Sequence, residues 1–125
     1  MFTQKHIDHF SSLETPFYFY DLGLLKRTLE ELKKATPSHY HIHYALKANA
    51  HPTLLEMIRN AGLGADCVSG NEVKRALECK FKNTDIAFAG VGKSDKEINF
   101  ALDHSIFCFN VESIHELKVI DQLAK

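Results

Sequence analysis

The chain has 125 residues, enough for one modest domain. Its 15 basic and 16 acidic side chains leave a formal charge of -1, which excludes the basic footprint of a nucleic-acid binder and a polybasic membrane patch. Hydrophobic residues make up 45% and charged residues 25%, an ordinary globular balance, and no apolar run reaches the length that crosses a bilayer.

The opening, MFTQKHIDHFSS, holds one Lys and no apolar stretch, so it does not read as a secretory signal. Three cysteines, Cys67, Cys79 and Cys108, form no C-x-x-C pair and are expected to be reduced core thiols in a cytoplasmic protein. TPFYFYD at 15–21 is an aromatic β-type run. LGLLKRTLEELKKA follows as a helix, with Leu22, Leu25, Leu29 and Leu32 forming a stripe and Lys33 and Lys34 at its negative end.

From residue 41 the chain falls into a rhythm. Apolar runs at 41–46, 64–68, 85–90 and 106–110 begin 23, 21 and 21 residues apart, and each precedes a helical pattern. In those helices Leu54, Leu55 and Ile58, then Val73, Ala76 and Leu77, recur at the spacing that buries one face against a sheet. The third and fourth helices repeat it, for example at Ile98 and Leu102 and at Leu117 and Ile120. Ser69, Ser94 and Ser113 each stand three residues before a Glu, which predicts capping boxes at three helix starts. Gly62 and Asn83 mark helix ends. Four βα units in succession imply an α/β fold with a parallel sheet. They do not close an eight-stranded barrel, which takes about 250 residues, so the pattern fits an open sheet or part of something larger.

Lys47 is the first candidate for chemistry, and the pattern alone leaves it either a reactive amine or a solvated lysine at a strand end. It stands at the carboxyl end of the first strand, the end at which parallel α/β folds bind ligands. Strand alternation puts Lys47, Ala45 and His43 on one face, and the small Ala45 leaves room for a bulky group beside the amine. A Lys in such a spot can lose solvation, which makes its neutral amine more available for attack on a carbonyl. Asp66 ends the second strand at the same rim, either as a turn residue or as a carboxylate that steadies a cationic amine.

The string YALKAN at 44–49, followed about 16 residues later by G-x-G-A-D-x-x-S-x-x-E, resembles the opening of the fold-type-III, alanine-racemase-like pyridoxal-phosphate enzymes, and within them the diaminopimelate decarboxylases. The resemblance continues through FAGVGKSDKEINFAL and FNVESIHEL, and upstream through TPFYFYD. It implies that residues 22–125 are the first four βα units of a (β/α)8 TIM barrel that binds pyridoxal 5'-phosphate, incomplete as it stands. It implies that residues 1–21 form a segment whose strand joins a separate β-domain. By the same resemblance Lys47 carries the cofactor covalently, Ala45 lies beside it, Asp66 lies near both, and Glu72 occupies a position close to that lysine. The implied reaction removes one carboxylate of meso-2,6-diaminopimelate to give L-lysine, in a homodimer with shared active sites. A chain of this length alone is expected to be inactive. The alternatives are an ornithine, arginine or carboxynorspermidine decarboxylase, or a non-catalytic barrel that carries the cofactor.

Two other patterns carry less. Gly90-Val91-Gly92-Lys93-Ser94 ends like a P-loop, but the first Gly of that motif is replaced by Ala87. The resemblance makes it a turn after the third strand, with Lys93 facing the active-site rim. His39, His41 and His43 share a strand face, as metal ligands can, but no Cys, Asp or Glu cluster accompanies them, so they read as packing.

Overall fold

The computed structural model describes residues 2–125. It contains a four-stranded parallel sheet, β1 (His43–Ala45), β2 (Gly64–Cys67), β3 (Ile86–Phe88) and β4 (Cys108–Phe109). The strand order is β1-β2-β3-β4. Helices alternate with the strands: α3 (Pro52–Asn60), α4 (Gly70–Glu78), α5 (Asp95–Asp103) and α6 (Ile114–Leu123). Before the sheet come α1 (Gln4–Ser11) and α2 (Leu22–Ala35). Because the order never reverses, the sheet is singly wound, as in an arc of a barrel; a doubly wound sheet switches direction.

One face of the sheet carries the core. Leu46, Leu55, Ile58, Cys67, Val73 and Phe88 are essentially inaccessible and pack together between strands and helices. Each such side chain contributes about 1.5–3 kcal/mol when removed from water. The opposite face holds small residues, and its row Ala45, Asp66, Ala87 and Cys108 is in register across all four strands.

The helix starts follow the predicted caps with one variation. Ser94 and Glu97 make the full reciprocal box. Ser69 and Ser113 accept their helix N–H groups, but Glu72 and Glu116 reach one residue further back, accepting from the N–H of Val68 and Glu112 at 2.8 Å. α3 ends at Gly62 in the left-handed region, as predicted. Asn83 does not end α4. That helix stops at Glu78, and Lys80 takes the left-handed position, while Asn83 opens a short 3-10 turn and donates to the His104 and Ser105 carbonyls.

The N-terminal region adds a helix to the expected elements, and the strand expected to join a separate β-domain has no partner within residues 2–125. Residues 15–21 contain no strand; they run without ladder pairing among the described residues. The preceding α1 sets the rings of Phe2, His6 and Phe10 along one side and is capped reciprocally by Thr3 and His6. The aromatic run packs on it instead of on a sheet, with the Phe10 ring 5.5 Å from Phe17 and 5.0 Å from Phe19. In α2 only Leu29 is buried and Leu25 packs on the core, while Leu22 and Leu32 stay exposed.

Candidate functional site

The carboxyl ends of β1 and β2 bring the predicted residues together. Lys47 follows β1 on a 3-10 turn, Leu46–Ala48. Leu46, only 1% exposed, anchors that turn in the core. On its other side the Tyr44 hydroxyl donates to the Asn49 carbonyl at 3.1 Å, and the Asn49 side chain accepts from the His51 N–H at 2.9 Å. His51 in turn caps α3, whose first residue is Pro52. Burial pushes the Tyr44 hydroxyl pKa up, partly offset by its bond to Asn49. Lys47 is therefore presented by a short segment pinned at both ends.

Lys47 itself is exposed, and its ammonium has no hydrogen-bond or ion-pair partner among the described residues. The helices pack on the other face of the sheet, and the face that carries the lysine is the one a closed barrel would enclose. Asp66 is half-buried on the neighbouring strand, the Cα partner of Ala45 two residues before Lys47. Ala87 and Cys108 continue the row; the Cys108 thiol pKa is raised by burial first and by the Asp66 charge second. A free amine at the rim, beside small side chains and a carboxylate on the next strand, is an arrangement suited to a ligand that carries an aldehyde.

One oxygen of the Glu72 carboxylate closes the turn after β2 by accepting the Val68 N–H at 2.8 Å, which holds Glu72 at the rim where β2 ends. His43 lies over Gly64 at the opposite end of the sheet, its ring 6.2 Å from that of Phe107. No group of three or more side chains among the described residues is arranged to hold a metal.

Lys93 stands at the carboxyl rim, but its amine is not free there. Its side chain is fully buried (0% exposed), and its ammonium donates to the Gly90 carbonyl at 2.8 Å, to the Asn110 carbonyl at 2.9 Å and to the Glu116 carboxylate. The ring of Phe88 lies 5.5 Å away. Nothing in the sequence separates this lysine from a solvated one; the only hint is Glu116 at the start of the next helix.

Residues 22–125 match the family model described as the pyridoxal-dependent decarboxylase, pyridoxal binding domain. The chain belongs to this family of pyridoxal-dependent decarboxylases. Among curated members of the family, the diaminopimelate decarboxylase of Bacteroides thetaiotaomicron is 52% identical over 120 residues, covering 94% of this chain and 31% of that protein. The diaminopimelate decarboxylase of Helicobacter pylori strain J99 is 44% identical over 117 residues, covering 93% of this chain and 29% of the relative. The crystal structure of diaminopimelate decarboxylase from Helicobacter pylori complexed with L-lysine superposes with a TM-score of 0.87 at 40% identity, over 94% of this chain and 30% of that one. The ornithine decarboxylase of Entamoeba histolytica superposes with a TM-score of 0.86 at 28% identity, over 97% of this chain and 39% of that one. The chain thus spans about a third of the length of the decarboxylases it matches. The four βα units correspond to part of the barrel of these family members. No helix among the described residues is long and apolar enough to cross a membrane.

Proposed function

We propose that this chain supplies the cofactor-anchoring part of a diaminopimelate decarboxylase, which converts meso-2,6-diaminopimelate to L-lysine and CO2. The observation that carries the reading is the 52% identity to a diaminopimelate decarboxylase over nearly the whole chain, including the segment that presents Lys47.

The residues at the rim fit the cofactor. Lys47 offers a primary amine with no competing partner, on a pinned turn, above the small Ala45. Pyridoxal phosphate, when bound, supplies an electron sink for the charge left as CO2 departs. Lys47 would hold it, Ala45 leaves space for its ring, and the Asp66 carboxylate balances the lysine's positive charge from the next strand. The half-buried position of Asp66 strengthens that balance over what open water allows.

Residues 1–21 belong to a unit separate from the barrel in this reading. The family model begins at Leu22, and the aromatic run before it is unpaired. The whole protein acts as a homodimer on a small amino-acid substrate in the cytoplasm; the three free cysteines suit a reducing compartment.

The test is an assay of the protein from its full reading frame, supplied with pyridoxal phosphate and offered meso-diaminopimelate, L-ornithine or L-arginine. L-lysine and CO2 should form from diaminopimelate, with the other two left intact. Turnover of ornithine or arginine with none of diaminopimelate overturns the reading.

A further inference from the structure

A buried ammonium is costly, and apolar residues of similar size are often no less stabilising. Lys93 is nevertheless buried with all three of its N–H donors used, on two backbone carbonyls and one carboxylate. Its three acceptors come from the turn after β3, the turn after β4 and the first turn of α6. One side chain thus joins two adjacent loops at the carboxyl rim.

Both loops border the face that carries Asp66. Gly90 has φ +93, and a Cβ placed there would stand 2.8 Å from the Val68 carbonyl, two residues beyond Asp66. The turn after β3 is therefore seated directly on the end of β2. Asn110 lies two residues after Cys108, and its N–H donates to the Phe88 carbonyl at 2.9 Å, which continues the ladder past β4. Alternation then puts Asn110 on the same face as Cys108, Asp66 and Ala45.

We infer that Lys93 is a positioning residue for the cofactor site, fixing Asn110 in the site wall by holding the Asn110 and Gly90 carbonyls. This rests on the decarboxylase reading above. Its geometric content is that Lys93 acts through backbone at the rim and touches no substrate.

Three variants of the full-length protein test it, with melting temperature, kcat, KM and pyridoxal phosphate incorporation at Lys47 measured on each. Lys93→Met strands the Glu116 carboxylate and should lower both melting temperature and kcat. Lys93→Met with Glu116→Gln removes the stranded charge, while the amide oxygen still accepts from Glu112. This pair should recover most of the melting temperature, yet kcat should stay down by about ten- to a hundredfold, because the two carbonyls still lack their donor. Asn110→Ala should keep the melting temperature and lose activity to a similar degree, and it decides the matter if the Lys93 variants do not fold. Recovery of kcat together with stability in the double variant, or unchanged kcat and KM in Asn110→Ala, overturns the inference while leaving the decarboxylase reading intact. Failure of the unmutated protein to take up pyridoxal phosphate at Lys47 overturns both.

Discussion

Asp66 on β2 is paired in register with Ala45 on β1, so the carboxylate and the lysine two residues beyond that alanine stand on adjacent strands at one rim. No ion pair joins them among the described residues, and Lys47 remains accessible. The site has its two charged groups arranged side by side before any ligand draws them together.

Replacing Asp66 with Asn in the full-length protein should lower kcat/KM about ten- to a hundredfold, the worth of one hydrogen bond to a charged group. The melting temperature of the variant is measured alongside, which separates a loss of activity from a loss of folding. Steady-state kinetics with diaminopimelate check this. Unchanged kcat and KM would restrict Asp66 to a turn role.

Two helix ends carry strain. Lys80 (φ 65) and Ser105 (φ 49) occupy the left-handed position after α4 and α5 that Gly62 fills after α3. Phe81 and Ile106 then donate back to the Ala76 and Ala101 carbonyls, as Leu63 does to Ile58. Lys80→Gly and Ser105→Gly should each stabilise the protein by up to about 1 kcal/mol, seen as a higher midpoint in urea. A lower midpoint for both would contradict the assigned backbone.

Much of the fold is legible from period alone. All four apolar runs are strands, each followed by its helix, because a residue buried on one side repeats at 2 in a strand and 3.6 in a helix. The ladders are shorter than the runs, since residues such as Ala89 and Gly90 already turn over the rim. The ends of α4 and α5 are invisible in the sequence, because a Lys and a Ser hold a position that glycine usually announces. α1 is missed for another reason: its stripe is one short aromatic row that meets Phe17 and Phe19 rather than the sheet core. At the site, Lys47 and Asp66 are legible because their place at strand ends follows from the βα count. Lys93 is not, because burial of its side chain depends on two loops and a helix that meet only in three dimensions.

Cys67 should be chemically silent in the folded protein. It is fully inaccessible, and burial, helped by the charges of Glu72 and Asp66, pushes its thiol up to about 12. Alkylation with iodoacetamide at neutral pH, followed by peptide mapping, should label Cys67 only after unfolding. Rapid labelling of Cys67 in the native protein would contradict the core described above.

Two carboxyls set the acid limit. Glu97 is held below its ordinary value by the Gly70 N–H and then by Ser94, and Glu116 by Lys93 and then by the Glu112 N–H. The folded state binds these protons less readily than the unfolded chain. Their stabilisation is therefore complete above the ordinary Glu value of about 4.3 and fades as pH falls through the lowered values. Melting temperatures measured across that range should fall less steeply for Glu97→Gln than for the unmutated protein. Parallel curves would show that Glu97 does not contribute.

Borohydride trapping reads out whether Lys47 anchors pyridoxal phosphate. The protein from its full reading frame is incubated with pyridoxal phosphate, reduced, digested and mapped by mass. Label should concentrate on the peptide containing Lys47 and disappear in Lys47→Ala. Label scattered over surface lysines such as Lys33, Lys34 and Lys74 in the folded full-length protein, with Lys47 unmodified, would contradict it.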